Sequence, residues 1–365
     1  MWEVTRRRAG DADGPPRRPA VSTVTRRRAG ALALAAAFLL VTLLAGVSIG
    51  AVRLSPGGVV TTLLNRMGLP VRAELPALQA EVLVQYRLPR VLVAAVVGGV
   101  LALSGAAYQG VFRNPLADPY LLGAAAGAGL GATMVIAYAP SQLGTSATLP
   151  AAAFAGALAG VGLAYALGTV ASRSGGGGSA TLLLAGVAVA SFLTAVQTLV
   201  QQAHSDDLRQ VYSWILGQLG AAQWSQLWLV LPYAAVSAIV LLVAAPALDV
   251  LAVGDDEAAT LGVRPRRVRF IVLLAASLGT AAAVAVSGLI GFVGLVVPHV
   301  VRRLVGGSYQ SVLPVSLLGG AAFLVLADLV ARTVIAPGEL PIGVVTAFVG
   351  APFFAVLLRT GGGSS

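Results

Sequence analysis

Apolar residues in this chain come in long unbroken runs, separated by short stretches rich in Arg, Pro, Ser and Gly. The runs cover 31–52, 91–109, 120–139, 149–171, 181–201, 227–248, 270–289, 290–301, 312–335 and 342–358. A bilayer-spanning helix needs about 20 predominantly apolar residues, so the pattern predicts ten helical spans. The eighth is short and abuts the seventh at Ser287-Gly288. Between spans, Ser55-Pro56 is a capping residue followed by proline at a first helical position, which predicts a short external helix ended by Gly68. Ser205-Asp206-Asp207 sets two acids at the positive end of a helix dipole and predicts an outer helix running through Val211, Trp214 and Ile215. The stretch SRSGGGGS at 172–179 reads as a flexible inner loop.

Composition sharpens this picture by exclusion. Of the 365 residues 57% are hydrophobic and 10% charged, whereas a soluble domain carries about 25% charged residues. The 44 glycines suit close helix packing in a membrane. With no Cys, disulfides, thiolate metal sites and iron–sulfur clusters are excluded. All 24 basic residues are Arg; without Lys the chain has no phosphate-binding GxxxxGK[ST] loop and no Schiff base. His occurs only at His204 and His299. The net charge of +10 is spread along the chain and eight Arg lie within 1–28, so nucleic acid is not an expected partner.

Residues 1–28 read as a disordered basic cytoplasmic tail, 29–360 as the ten-helix domain and 361–365 as a flexible tail. The first apolar run is long enough to span and is taken as an uncleaved helix, with a targeting segment as the alternative. Placing the amino end inside puts 17 Arg on the cytoplasmic side against seven outside, which obeys the positive-inside rule with both termini in the cytoplasm.

Small residues recur at four-residue spacing at Gly123, Gly127 and Gly131, and at Gly156 and Gly160, as helix-packing faces. Ala102-Leu103-Ser104-Gly105 is echoed by Ala285-Val286-Ser287-Gly288 on a span of opposite direction, the sign of an inverted repeat. The spans hold one clear internal acid, Asp328, four residues before Arg332, and that spacing predicts an ion pair. An ion-driven secondary transporter would bury several acids, and a membrane-embedded enzyme would cluster His, Asp, Glu, Ser or Lys at membrane depth. Neither pattern is present in the sequence, so such a bundle would need energy from elsewhere.

Four longer motifs carry a family resemblance. They are RLPR at 87–90, LALSGAAYQGVFRNPLADPYLLGAAAGAGLGA at 101–132, GLIGFVGLVVPHVVRRL at 288–304, and ADLVART with ELPIGVVTAFVGAPFF between 327 and 354. The chain resembles the FecCD family, permease subunits of ATP-driven ABC importers for ferric siderophores, haem and vitamin B12. The resemblance implies an all-α polytopic membrane protein, a ten-transmembrane-helix permease bundle with an inverted internal repeat, in the bacterial plasma (inner) membrane. It implies a pathway formed with a second permease copy or homologue, two ATP-binding cassette subunits carrying ATP and Mg, and an extracytoplasmic substrate-binding protein. The permease itself is then a gate and lever rather than an enzyme, with no cofactor of its own and an iron chelate, most simply a ferric siderophore, as cargo.

The same resemblance implies roles for particular residues. Arg87, Arg90 and Arg332 match outer-face arginines that dock glutamates of the binding protein. Glu257, Ala258, Ala259 and Gly262, in the loop GDDEAATLG at 254–262, match the segment that couples to the ATPase. Asn114, Leu116, Ser179 and Thr181 match the cytoplasmic gate. His299, after Pro298, reads as a structural hydrogen-bonding residue, with haem ligation as the alternative.

Overall fold

A computed structural model describes residues 21–50, 52–139, 147–173 and 179–361. The expectations for 1–20, 140–146, 174–178 and 362–365 lie outside the described residues. Each of the ten apolar runs is helical for most of its length: α1 (Val21–Ser48), α4 (Leu88–Phe112), α5 (Ala124–Tyr138), α6 (Thr148–Arg173), α7 (Ser179–Ala203), α9 (Trp224–Val253), α11 (Pro265–Ser287), α12 (Val293–Val305), α13 (Tyr309–Ala331) and α14 (Ile342–Gly361). Among the described residues, seven helices are long and apolar enough to cross a membrane; α5 and α14 are shorter apolar helices. Four further helices lie between them: α2 (Pro56–Arg66), α3 (Ala77–Val82), α8 (Leu208–Ile215) and α10 (Asp255–Thr260). Helix α1 starts at Val21, so part of the expected basic tail is helical, and Arg28 bonds Ser308 and Gln310 at the start of α13.

Helix α4 is the axis of the bundle and is buried along most of its length. Its closest seams are built from glycine. A Cβ on Gly98 would stand 2.3 Å from the Gly320 carbonyl oxygen of α13, and one on Gly105 would stand 2.0 Å from that of Gly294 on α12. The predicted small-residue faces meet each other: a Cβ on Gly127 would lie 2.1 Å from the Gly156 oxygen, and one on Gly160 2.4 Å from the Gly123 oxygen. Without a hydrophobic driving force between helices in lipid, such close backbone approach supplies van der Waals contact in its place.

Both helices predicted between the spans are present, but only one has the predicted side-chain cap. Ser55 caps α2 by accepting from the Gly58 N–H at 3.1 Å, and Gly68 takes a left-handed conformation past the helix end. Ser205–Asp207 instead forms a 3-10 turn leading into α8 without a side-chain capping bond.

The seventh and eighth spans are separated by non-helical residues 288–292, with Gly288 and Phe292 at positive φ. These freed backbone groups find partners. Tyr120 Oη donates to the Ile290 oxygen at 3.1 Å and accepts from its N–H at 3.2 Å, and Gln218 N–H donates to the Ser287 oxygen. Unwound backbone inside a membrane protein is tolerated where protein satisfies it in this way. Segment 102–105 lies within helix α4, whereas 285–288 ends α11, so the four-residue echo marks two different local structures.

Candidate functional site

Arg87, Arg90 and Arg332 converge at one end of the bundle, but their guanidinium groups turn inward. Pro89 lacks the N–H that would continue regular helical bonding, and the chain enters α4 through a π-helical turn, Leu83–Arg87. That turn aims Arg87 at the end of α1, where it donates to the carbonyl oxygens of Val47 at 2.9 Å and Ser48 at 3.0 Å, and also to that of Val52. Arg332 donates to the Gly46 oxygen. Two cations therefore satisfy the unpaired carbonyls and negative dipole end of α1.

Arg90 makes the shortest ion pairs of this cluster. Its Nε and Nη2 reach Asp328 Oδ1 at 2.9 and 2.8 Å, while Nη1 and Nη2 reach the Glu339 carboxylate at 2.8 and 2.9 Å. Asp328 is 1% exposed and also faces Arg332 at 3.4 Å. The predicted pair within α13 is thus present, with Arg90 of α4 as the closer partner. The Arg90 hydrogen bonds hold the Glu339 carboxyl below its ordinary range. Helix α13 could supply the pair from sequence; the contribution of Arg90 has no local signal.

The segment expected to couple to the ATPase lies between α9 and α11. Helix α10 has Asp255, Asp256 and Glu257 in its first turn, and Gly262 at φ +80° lets the chain close it: Gly262 N–H bonds the Ala259 oxygen and Val263 N–H bonds the Ala258 oxygen. Glu257, Ala259 and Gly262 lie on the exposed side. Ala258 is fully buried against the bundle, so it anchors the segment rather than facing a partner. Asp255 accepts from Arg269 Nη1 and Nη2 at 2.8 and 2.6 Å, and from Arg113. Desolvation works to raise the Asp255 carboxyl, but the hydrogen bond and charge of Arg269, with the charge of Arg113, outweigh it and hold the group below its ordinary value.

The four residues expected at the gate lie on separate elements. Asn114 Oδ1 accepts from the Leu116 N–H at 2.9 Å and so closes its own turn, and Leu116 projects from it, 50% exposed. The chain then runs through a 3-10 turn, Pro119–Leu122, which packs on α7, the helix that starts at Ser179 and carries Thr181.

An open groove of about 740 Å³ is lined by Asp118, Tyr120 and Leu121 and by the α7 residues Val187, Ser191, Thr194 and Thr198. Ser191, Thr194 and Thr198 share one helical face, a stripe of hydroxyls readable from spacing alone. Its volume falls within the roughly 300–1,000 Å³ of small-molecule sites. Asp118 accepts from the Tyr120 N–H at 2.8 Å, and burial outweighs that bond and pushes its carboxyl up to about 6. His299 packs edge-on to Phe353 of α14 with ring centroids 5.7 Å apart, and its buried Nε2 has no hydrogen-bond partner in the structure. The expected role survives as packing rather than as hydrogen bonding.

A model of the FecCD transport family matches residues 38–360. The chain is 40% identical over 324 residues to an uncharacterized ABC transporter permease of Bacillus subtilis, covering 88% of this chain and 91% of that one. It is 43% identical to a cobalamin import system permease of Halobacterium salinarum, covering 80% and 76% of the two chains. It is 44% identical to a hemin transport system permease of Yersinia pestis, covering 74% and 81%. A solved inward-facing metal-chelate type ABC transporter superposes with a TM-score of 0.78 at 31% identity, covering 90% of this chain and 98% of that one.

Proposed function

Because the chain belongs to the FecCD transport family, we propose that this ABC importer permease carries a ferric siderophore, with haem or cobalamin as the competing cargoes. The observation carrying the reading is the pairing of a cargo-scale groove on one face of α7 with a capped lever helix, α10, at the inner end. The groove mixes hydroxyls with small apolar side chains, which suits a bulky chelate with several oxygen ligands at its surface.

In this reading a second permease closes the groove, two ATPase subunits seat α10 and its equivalent, and an extracytoplasmic binding protein delivers the chelate. Both termini face the cytoplasm. Binding energy from ATP is transmitted as motion, so this chain's residues bind, seal and move rather than catalyse. Leu116 supplies apolar bulk at the constriction and the Asn114 turn fixes its direction. Arg90, held by buried Asp328 on one side and by exposed Glu339 on the other, meets a partner carboxylate by exchanging Glu339 for it. Arg87 and Arg332 support docking indirectly by holding α1 against α4 and α13.

The test is uptake into proteoliposomes containing the permease, its ATPase and its binding protein, supplied in turn with a hydroxamate ferric siderophore, haem and cobalamin. ATP-dependent accumulation of the siderophore alone supports the assignment; accumulation of only haem or cobalamin overturns it. The purified permease alone should hydrolyse no ATP.

A further inference from the structure

The inner gate turn and the lever helix are joined directly, through one side chain. Arg113 sits at the end of α4 in a left-handed conformation, φ 48°, a region that costs a non-glycine residue free energy unless its surroundings hold it there. It immediately precedes Asn114. Its Nε donates to the Leu251 oxygen at the end of α9 at 2.8 Å, and its Nη2 donates to Asp255, the first residue of α10. Asp255 is in turn gripped bidentately by Arg269 of α11. One carboxylate thus ties the lever to two helices, and one of its two arginines is the residue on which the gate turn pivots.

Taking the importer reading as its basis, we propose that Arg113 and Asp255 form the positioning link that converts movement of α10 into movement of the Asn114–Leu116 turn. The geometry separates two limbs. The Arg269 limb fixes α10 to α11 and keeps the carboxylate aimed, whereas the Arg113 limb reaches the gate. A displacement of α10 pulls Asp255 and hence Arg113, and the gate turn follows because Asn114 is the next residue in the chain, moving against its own N–H bond to the Gln109 carbonyl oxygen of α4. Gln109 is held from the other side by Arg302 and bonds the Gly294 oxygen, so α4 stays fixed and the turn beyond it is the part free to move.

The experiment uses the complete complex of permease, ATPase and binding protein in liposomes, reading transport and ATP hydrolysis separately. Arg113→Gln and Asp255→Asn should each lower transport per ATP by roughly five- to tenfold, a coupling of the size usual between linked sites. The ATPase should still co-purify, and hydrolysis should continue. The double variant should be no worse than the poorer single one, because both break the same link. A second reading guards against misfolding: since the chain has no Cys, Leu116→Cys gives a unique thiol whose labelling should change with ATP in the parent and lose that dependence with Arg113→Gln. Additive effects of the two substitutions, an unchanged transport-to-ATP ratio, or hydrolysis falling in proportion to transport would overturn the link. If the unsubstituted complex assembles but imports none of the three chelates tried, ATP-dependent Leu116→Cys labelling still decides the link, while the cargo assignment alone fails.

Discussion

Replacing Asp328 by Ala removes the carboxylate around which the outer arginines are arranged. Arg90 would lose its closest partner, three hydrogen bonds between 2.8 and 3.2 Å, and Arg332 its ion pair at 3.4 Å. The Arg90 side chain is 12% and the Asp328 side chain 1% exposed, so water cannot readily replace the lost contacts. Breaking a buried pair from one side costs about 3–5 kcal/mol. Glu339 offers an internal control, because it bonds the same guanidinium at similar distances while its side chain is 44% exposed. Removing a partner of such an exposed pair costs about 0.2–1 kcal/mol. Unfolding of the purified chain by SDS titration, followed through its four Trp residues, measures both. Glu339→Ala should shift the midpoint slightly and Asp328→Ala several times as much, with Arg90→Met added to Asp328→Leu recovering part of the loss. Equal small losses for Asp328→Ala and Glu339→Ala would show that burial does not set the strength of this cluster.

Other outcomes follow from the same geometry. Gly127→Leu should drive α5 from α6, lowering thermal stability in detergent, since overpacking costs about 1–3 kcal/mol, whereas Gly162→Leu, with open space around its Cβ position, should leave the melting temperature nearly unchanged. Tyr120→Phe strips both hydrogen bonds from Ile290, and leaving buried backbone groups unpaired should cost about 1–3 kcal/mol in the same unfolding titration. Burial raises the Asp118 carboxyl to about 6, so the fold favours its protonated form: the contribution is present below the unfolded value of about 3.9 and is lost as pH rises through 6. Asp118→Asn keeps the acceptor for Tyr120 N–H and should flatten the pH dependence of thermal stability between 4 and 7; an unaltered slope would refute the raised value. For Asp255, whose carboxyl is held low, the sign reverses: its contribution is lost only in acid, as pH falls through the lowered folded value. Asp255→Asn should therefore leave the stability profile between pH 6 and 8 parallel to that of the parent.

Much of the helical framework is legible because lipid imposes a simple rule: each crossing must be long and apolar, and each close seam small. The facing of Gly127 on Gly156 follows from spacing that both helices display in the sequence. The break at 288–292 is legible only in part. Gly288 permits positive φ, but Phe292 adopts it as well, and nothing local announces that Tyr120, far away in sequence, satisfies the freed backbone. The arginines illustrate a different limit. Sequence and topology bring Arg87, Arg90 and Arg332 to one end, yet whether a long side chain points outward or folds back onto a helix terminus depends on where α1 stops. Charge counting puts Arg113 and the Asp255 loop on the same side; their bond depends on the turn geometry of two separate helix ends. The α7 hydroxyl stripe, by contrast, follows from the spacing of Ser191, Thr194 and Thr198, but it is a weak signal because Ser and Thr are common in membrane helices.

The groove on α7 is open, and that has an arithmetical consequence for how such a transporter changes its cargo preference. A wall supplied by one chain encloses nothing, so in a complex of two identical chains every substitution at Thr194 is presented to the chelate from both sides. Its effect on the passage barrier is then counted twice in free energy and appears squared in the ratio of rates. Pairing the chain with a diverged partner would break that symmetry and let each wall be adjusted separately. Selectivity in a matched pair therefore moves in large steps, and in a mixed pair it moves in small ones.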